Sequence, residues 1–239
     1  MNLPAFGVVN LHREPLAEGV AREAEWSALC AQSAQAAAHL WQAAPGLVVP
    51  RRYTLLPGWT AALAAAGSGA VQVRASGGGL VPQGPGVWNL SLIWQSDSAA
   101  LHASDAVYRA LCGELAAALA QLGLLATPGC VDGSFCDGRY NLAVGGRKLV
   151  GTAQSWRRIA GKPVVLAHAV IIVNADPAAL TEQANRFEAE LGSATRYRAD
   201  ALTSVALAAH DPAIAPRTLD VLTKQFTQLK LKENEDGLA

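Results

Sequence analysis

The sequence predicts an α/β (α+β) domain in which a mixed sheet is flanked by helices. Three observations lead there. Short β-rich apolar runs and Ala-rich helical stretches both recur along the 239 residues. The strands are separated by tight turns such as Gly145-Gly146, without strict β-α-β alternation. Finally, 51% of the chain is hydrophobic and 16% charged, enough apolar surface for a sizeable core.

Taken in order, residues 16–43 read as one helix, rich in alanine, with Val20, Trp26, Leu29, Leu40 and Trp41 as its apolar stripe. Pro45-Gly46 ends it and Leu47-Val48-Val49 is a short strand. After Pro57-Gly58, residues 59–66 are helical and 71–73 alternate as a strand. A glycine run at 77–79, a short strand Leu80-Val81 and a turn from Pro82 to Gly86 precede an apolar strand, Val87–Trp94. Ser104 or Asp105 caps a helix over 105–123 that stops at Gly123. Residues 127–138 are loop, and 139–144 and 147–156 form a hairpin around a type I′ Gly145-Gly146 turn. A buried strand spans 163–174, and Asp176-Pro177 opens a helix over 177–191. The last helix covers 216–231, with the final eight residues frayed.

Nineteen basic and nineteen acidic residues cancel, which argues against a broad electrostatic footprint for nucleic acid. No apolar run reaches the roughly 18 residues that span a bilayer, and Met1 to Glu14 lacks the pattern of a signal peptide. A cytoplasmic protein with neither nucleic-acid nor membrane partners is expected. Cys30, Cys112, Cys130 and Cys136 form no C-x-x-C pair, so neither disulfides nor a metal site are expected.

In a two-residue hairpin turn, Val144 pairs with Arg147, Ala143 with Lys148 and Asn141 with Val150. Alternation then collects Arg139, Asn141, Lys148, Thr152 and Gln154 on one face, with Tyr140, Leu142, Val144, Leu149 and Ala153 on the other. Such a polar face suits the solvent side of a half-buried sheet. The other reading is a groove wall in which Lys148 or Arg139 polarises a carbonyl or neutralises a phosphate. The segment Arg74-Ala75-Ser76-Gly77-Gly78-Gly79 follows a strand, and its glycines allow close backbone approach to a ligand. It is not a P-loop, because no G-K-S/T follows.

Together these two segments resemble the lipoate-protein ligase and octanoyltransferase family. The run from Arg74 to Leu92 is similar to the signature R-x-S/T-G-G-G-x-V-x-H-x-x-G-x-x-N-x-S-x. The run from Gly138 to Gln154 is similar to G-R-x-D, a hydrophobic residue, a turn, then x-K-x-x-G-x-A-Q/Y. Leu166-Ala167-His168-Ala169 looks like the later H-G strand, and the resemblance covers about residues 20–190. It implies the biotin/lipoate ligase catalytic domain, similar in core to class II aminoacyl-tRNA synthetases: a single catalytic domain over 1–239, with 192–239 as a C-terminal extension. Arg74, Ser76, Gly77, Gly78, Gly79, Gln83, Gly84, Asn89, Arg139, Asn141, Gly151, Thr152, Gln154 and His168 would bind substrate, and Lys148 would contact the acyl carbonyl. The implied partners are an octanoyl or lipoyl group and lipoyl-domain proteins, either E2 subunits of 2-oxoacid dehydrogenases or the glycine-cleavage H protein.

Two positions depart from the ligase pattern: Gln83 replaces a histidine and Asn141 replaces an aspartate that can help hold magnesium. The segment Phe135-Cys136-Asp137-Gly138-Arg139-Tyr140-Asn141-Leu142 instead resembles the F-C-x-G-x-Y/F-D pattern of a transferase branch, whose cysteine is the nucleophile. A second branch has its cysteine where Val165 stands here. Cys136, in a loop beside the hairpin, needs a nearby cation to favour its thiolate, which Arg139 or Lys148 would supply. Cys30 and Cys112, inside helices, suit buried packing, and Cys130 is the rival nucleophile. His168, alone in an apolar strand, suits a core histidine as well as a site residue. The leading expectation is an octanoyl or lipoyl transferase that uses Cys136 and Lys148 and needs no cofactor. The alternatives are an ATP- and Mg2+-dependent lipoate ligase and a non-catalytic module that binds the acyl group or lipoyl domain.

Overall fold

A computed structural model describes residues 2–67, 70–96 and 100–236, with the side chains of 100–103 and 230–236 left aside. Ten strands and six helices follow the chain: β1 (Val8–Leu11), α1 (Gly19–Ser33), β2 (Ala37–Gln42), β3 (Gly46–Pro50), α2 (Trp59–Ala66), β4 (Val71–Arg74), β5 (Val81–Gln83), β6 (Val87–Gln95), α3 (Ala100–Ala120), β7 (Thr127–Pro128), β8 (Leu142–Val144), β9 (Arg147–Ile159), β10 (Lys162–Ile172), α4 (Pro177–Glu190), α5 (Val205–Ala208) and α6 (Ala215–Asp236). The main sheet runs β1-β2-β6-β10-β9-β8-β7, with β1 parallel to β2 and its other pairs antiparallel. A smaller sheet, β4-β3-β5, has one parallel and one antiparallel pair. The expected mixed sheet flanked by helices is therefore present.

Strand β6 is buried on both faces and β10 on one, and alternation divides their residues cleanly. Trp88, Leu90, Leu92 and Trp94 of β6 and Val165, Ala167, Ala169 and Ile171 of β10 enter the main core. Val107, Leu111 and Leu115 of α3 and Val221, Leu222 and Phe226 of α6 cover that face. The opposite face places Asn89 and Ser91 of β6 in register with Val170 and His168 of β10. Polar side chains in the middle of a buried strand are unusual unless they have partners, and here they mark the floor of the site. The small sheet packs on α2 and α4 through Leu47, Val49, Ala62, Ala184 and Phe187. Tyr53 and Tyr197 donate their hydroxyls to buried Glu188 at 2.7 and 2.9 Å, fastening that layer together.

Several boundaries differ from the sequence reading. The 16–43 helix ends at Ser33, where Ala34 takes a left-handed conformation (φ 60°), and residues 37–42 become strand β2. Alanine favours helix, yet pairing with β6 buries Leu40 and Trp41 and prevails over that preference. Leu29, assigned to the apolar stripe, is 60% exposed; the buried stripe is Gly19, Glu23, Ser27, Cys30 and Ala31. Helix α3 begins at Ala100, so neither Ser104 nor Asp105 caps it. Residues 139–141 form a turn, not a strand. Helix α6 continues to Asp236, beyond the expected fraying point, and 237–239 lie outside the described residues. Strands β9 and β10 meet at an Ala160-Gly161 turn that the sequence reading missed, with φ values of 49° and 79°.

The hairpin turn is as expected, with Gly145 and Gly146 at φ 57° and 75°. The register beyond it is not. Ala143 pairs with Lys148, but Leu142 pairs with Val150, so Leu149 is an extra residue on β9. Such a bulge reverses the facing of everything before it relative to everything after it. Leu149 and Val150 both enter the core, and Lys148 turns to the opposite face beside Gly151.

Phe226 is fully buried and meets Phe6 edge-on, with ring centroids 6.3 Å apart. Phe226→Ala is expected to cost about 3–5 kcal/mol. Urea unfolding should show the midpoint falling with little change in slope.

Candidate active site

A narrow, largely apolar slot lies between the polar face of the main sheet and the small sheet. Val20, Val48, Val81, Val170 and Ile172 form its walls, and Glu23, Arg74, Gln83, Asn89, Cys136, Lys148 and His168 also line it. Five separate chain segments therefore deliver its polar groups: α1, the segment from β4 to β5, β6, the Cys136 loop, and the β9-β10 pair.

Cys136 sits at a strained position, with φ 51° on a residue that carries a side chain. Its Sγ accepts the Gly79 N–H at 3.0 Å and lies 3.8 Å from Arg74 Nη2. Both are donors aimed at the sulfur. The guanidinium is fixed by the carbonyls of Val48, Gly77 and Gly79. Burial draws Arg74 below its usual pKa, and the adjacent Cys136 and Glu23 oppose that shift.

The glycine run makes this contact possible. A Cβ on Gly78, which has φ 99°, would fall 2.6 Å from Cys136 Sγ, and one on Gly79 would fall 3.1 Å from Cys136 Cα. The glycines therefore admit the cysteine loop, which is a different task from cradling a phosphate.

Lys148 is 2% exposed and donates to the carbonyls of Phe135 and Cys136 at 2.6 and 2.9 Å. Its ammonium thus grips the backbone of the candidate nucleophile. Burial pushes its pKa down to about 8; the charges of Cys136 and Asp137 resist this and Arg74 adds to it. Gly151 leaves room for it, since a Cβ there would meet Lys148 Nζ at 3.1 Å. Asp137 Oδ1 accepts from Val131 N–H and from Asn141 Nδ2, both at 2.8 Å, which braces the loop from the far side.

The expected residues separate into those that meet and those that do not. Gln83 and Asn89 exchange amide hydrogen bonds of 3.3 and 2.9 Å inside the slot. His168 also lines it. The single polar hairpin face does not exist, because the bulge at Leu149 divides it. Lys148 faces the slot, whereas Gln154 turns to α3 and donates to Ser104. Thr152 borders the slot, but its hydroxyl is bonded to the Tyr140 carbonyl at 2.7 Å. Arg139 is exposed and pairs with Asp105 at 3.2 Å, so the guanidinium beside Cys136 is that of Arg74 and not Arg139. Gly84, at φ 142°, packs on Pro45 and not on the slot. Cys30 and Cys112 are buried, and burial lifts the Cys112 thiol to about 11. Cys130 is exposed and absent from the slot's lining.

Glu23 was missed. It is 5% exposed, accepts from Ser91 Oγ at 2.7 Å and lies 3.0 Å from His168 Nδ1. A carboxylate in register with the buried Gly19-Ser27-Cys30 stripe of an Ala-rich helix was the available signal. Among the described residues, no three His, Cys, Asp or Glu side chains gather as a metal site, and no helix is long and apolar enough to cross a membrane.

The lipoyl protein ligase A/B catalytic domain family matches residues 23–212. An uncharacterised protein of Cupriavidus necator is 45% identical over 192 residues, covering 74% of this chain and 75% of its own. An octanoyl-GcvH:protein N-octanoyltransferase of Kyrpidia tusciae is 40% identical over 144 residues, covering 57% of this chain. The match takes in 49% of that enzyme, so this chain spans about half its length. Among solved structures, lipoate-protein ligase A bound with ATP shares the fold at a TM-score of 0.67 and 16% identity, over 96% of this chain and 85% of that one. A bipartite lipoate-protein ligase of Thermoplasma acidophilum, described with its E2 lipoyl domain, does so at 0.65 and 16%, over 95% and 84%.

Two tests follow from the geometry. Gly78→Ala adds about 1–2 kcal/mol of backbone strain and drives a methyl into Sγ; a lowered Tm with slower alkylation of Cys136 is expected. Lys148 titrates near 8 when folded and from 10.5 when unfolded. Between those values the unfolded chain holds a proton that the folded chain has released, so this group's contribution to stability rises with pH across the window. Wild type should therefore gain stability relative to Lys148→Met as pH climbs from 8 to 10 in parallel urea titrations.

Proposed function

Because the chain belongs to the lipoyl protein ligase A/B catalytic domain family, we propose that it is an acyltransferase of protein lipoylation, moving an octanoyl or lipoyl group through a thioester on Cys136 to the lysine of a lipoyl domain. One observation carries the reading: in an apolar slot, the Cys136 sulfur meets a backbone N–H at 3.0 Å and a guanidinium at 3.8 Å. The octanoyltransferase names of the Kyrpidia tusciae relative and of a Geobacillus kaustophilus relative, 38% identical over 122 residues, support it.

Two displacements complete the reaction. The Cys136 thiolate attacks the carbonyl of an acyl-lysine donor; the C–S bond forms, the C–N bond breaks and the departing amine takes a proton. The acceptor amine then attacks the thioester, gives up a proton and releases the thiolate. The slot excludes water and holds the acyl chain along its valine and isoleucine walls. Lys148 fixes the Phe135 and Cys136 carbonyls and brings its positive charge to the oxygen on which charge develops. Arg74 steadies the thiolate before attack and on its departure. The Gln83–Asn89 pair closes one wall with amides where the ligase pattern carries a histidine. Donor and acceptor are lipoyl-domain proteins, the glycine-cleavage H protein and E2 subunits.

The expected result with an octanoylated H protein is an acyl-thioester adduct on Cys136, seen by intact mass and absent in Cys136→Ser. Transfer to an E2 lipoyl domain should fall by at least about 1,000-fold in Cys136→Ser and about 100-fold in Lys148→Met. Undiminished transfer in Cys136→Ser would sink the proposal. Pyrophosphate release from ATP with lipoate and Mg2+ would assign the chain to the ligases instead.

A further inference from the structure

The thioester route leaves one cluster unused. Ser76 Oγ lies 3.1 Å from His168 Nε2, and His168 Nδ1 lies 3.0 Å from Glu23 Oε1. Glu23 is held in turn by Ser91 Oγ at 2.7 Å, and Ser91 accepts from Trp41 Nε1 at 2.9 Å. These three groups come from the loop after β4, from β10 and from α1. Each ring nitrogen has the partner that nucleophilic catalysis requires: the carboxylate on Nδ1 fixes the tautomer, and Nε2 faces the hydroxyl as a base.

The serine opens on a different space from Cys136. A cavity of about 530 Å3 adjoins the slot, sharing Val20, Glu23 and Arg74 with it, and Ser76 lines only this second cavity. Its walls include Val73, Ile159 and Leu166 beside Gln72 and Arg157. These suit an acyl chain with a polar head. Gly77 follows the serine, and the space where its Cβ would stand is open, so a carbonyl can approach the backbone there.

We propose that Ser76, His168 and Glu23 form a second nucleophilic centre that hydrolyses acyl thioesters or activated acyl esters. Ser76 Oγ bonds to the acyl carbon, its proton passes to His168 Nε2, and the C–S or C–O bond breaks as the leaving thiol or alcohol takes that proton. Water then attacks the acyl-serine and returns a proton through His168 to Ser76, releasing the carboxylic acid. Glu23 is a positioning residue in this scheme. The inference does not rest on the thioester route at Cys136.

The experiment uses the full chain carrying Cys136→Ala, which removes the thiol that would otherwise acylate. Treated with an alkyl fluorophosphonate, it should gain one adduct on Ser76, located by peptide mass. It should also hydrolyse p-nitrophenyl octanoate, with the rate falling at least about 100-fold when Ser76→Ala is added and about 10-fold with Glu23→Gln. No adduct on Ser76 in the folded Cys136→Ala protein, or hydrolysis unchanged by Ser76→Ala, overturns the proposal. The labelling arm leaves all three residues intact, so a misfolded variant does not obscure the answer. Failure here leaves the Cys136 thioester untouched, and failure of the thioester leaves this assay readable.

Discussion

The contact between the Cys136 sulfur and the Gly79 amide sets the terms for everything around it. For that N–H to reach the thiol at 3.0 Å, two loops from different sheets must pass with their backbones almost touching. Neither Gly78 nor Gly79 has space for a methyl group. Cys136 in turn adopts a backbone conformation that a residue with a side chain avoids, and Lys148 holds it there by gripping two successive carbonyls. The lysine ammonium is stripped of water to do this, a large penalty unless its donors are used. Loop crossing, strained cysteine and buried ammonium therefore stand or fall together.

The main sheet is the frame that makes such a crossing repeatable. Strands β6 and β10 send one set of residues into a core shared with α3 and α6, and the alternate set toward the slot. The slot's polar floor thus belongs to the strands that carry the main core. The candidate nucleophile rides on a loop, but that loop is fastened by Lys148 from β9 and by the Asp137–Asn141 bond at its own base. A group on a loop is thereby tied to the main sheet, which is what reaction geometry within fractions of an ångström demands.

Much of this was legible in the sequence. Arg74, Gln83, Cys136 and Lys148 from the two paired segments meet at the slot, with Gly78 and Gly79 against the cysteine, because short-range chemistry announces itself in residue type and spacing. What failed was long-range. Residues 37–42 look helical in isolation and are strand because β6 offers them a partner. Arg139 and Lys148 were the expected cations; Lys148 does grip the cysteine backbone, but Arg139 pairs with Asp105 and Arg74, far away in sequence, reaches the thiol. Glu23 was hidden by its surroundings, beside Glu18 and Glu25 in an alanine-rich stretch, and only three-dimensional packing joins it to His168.

The extra residue Leu149 has a consequence for anyone comparing relatives of this chain. Lysine and glycine are three positions apart in this motif, and on an unbroken strand that odd interval would put them on opposite faces. They share a face only because the strand is one residue out of step between them. Motif spacing here encodes an irregular ladder, so a relative that keeps the three-residue interval but pairs it as a regular ladder would carry the same letters and aim its ammonium into the hydrophobic interior. The cross-strand partner of the residue before the glycine, Leu142 opposite Val150 in this chain, tells which relatives preserve the arrangement.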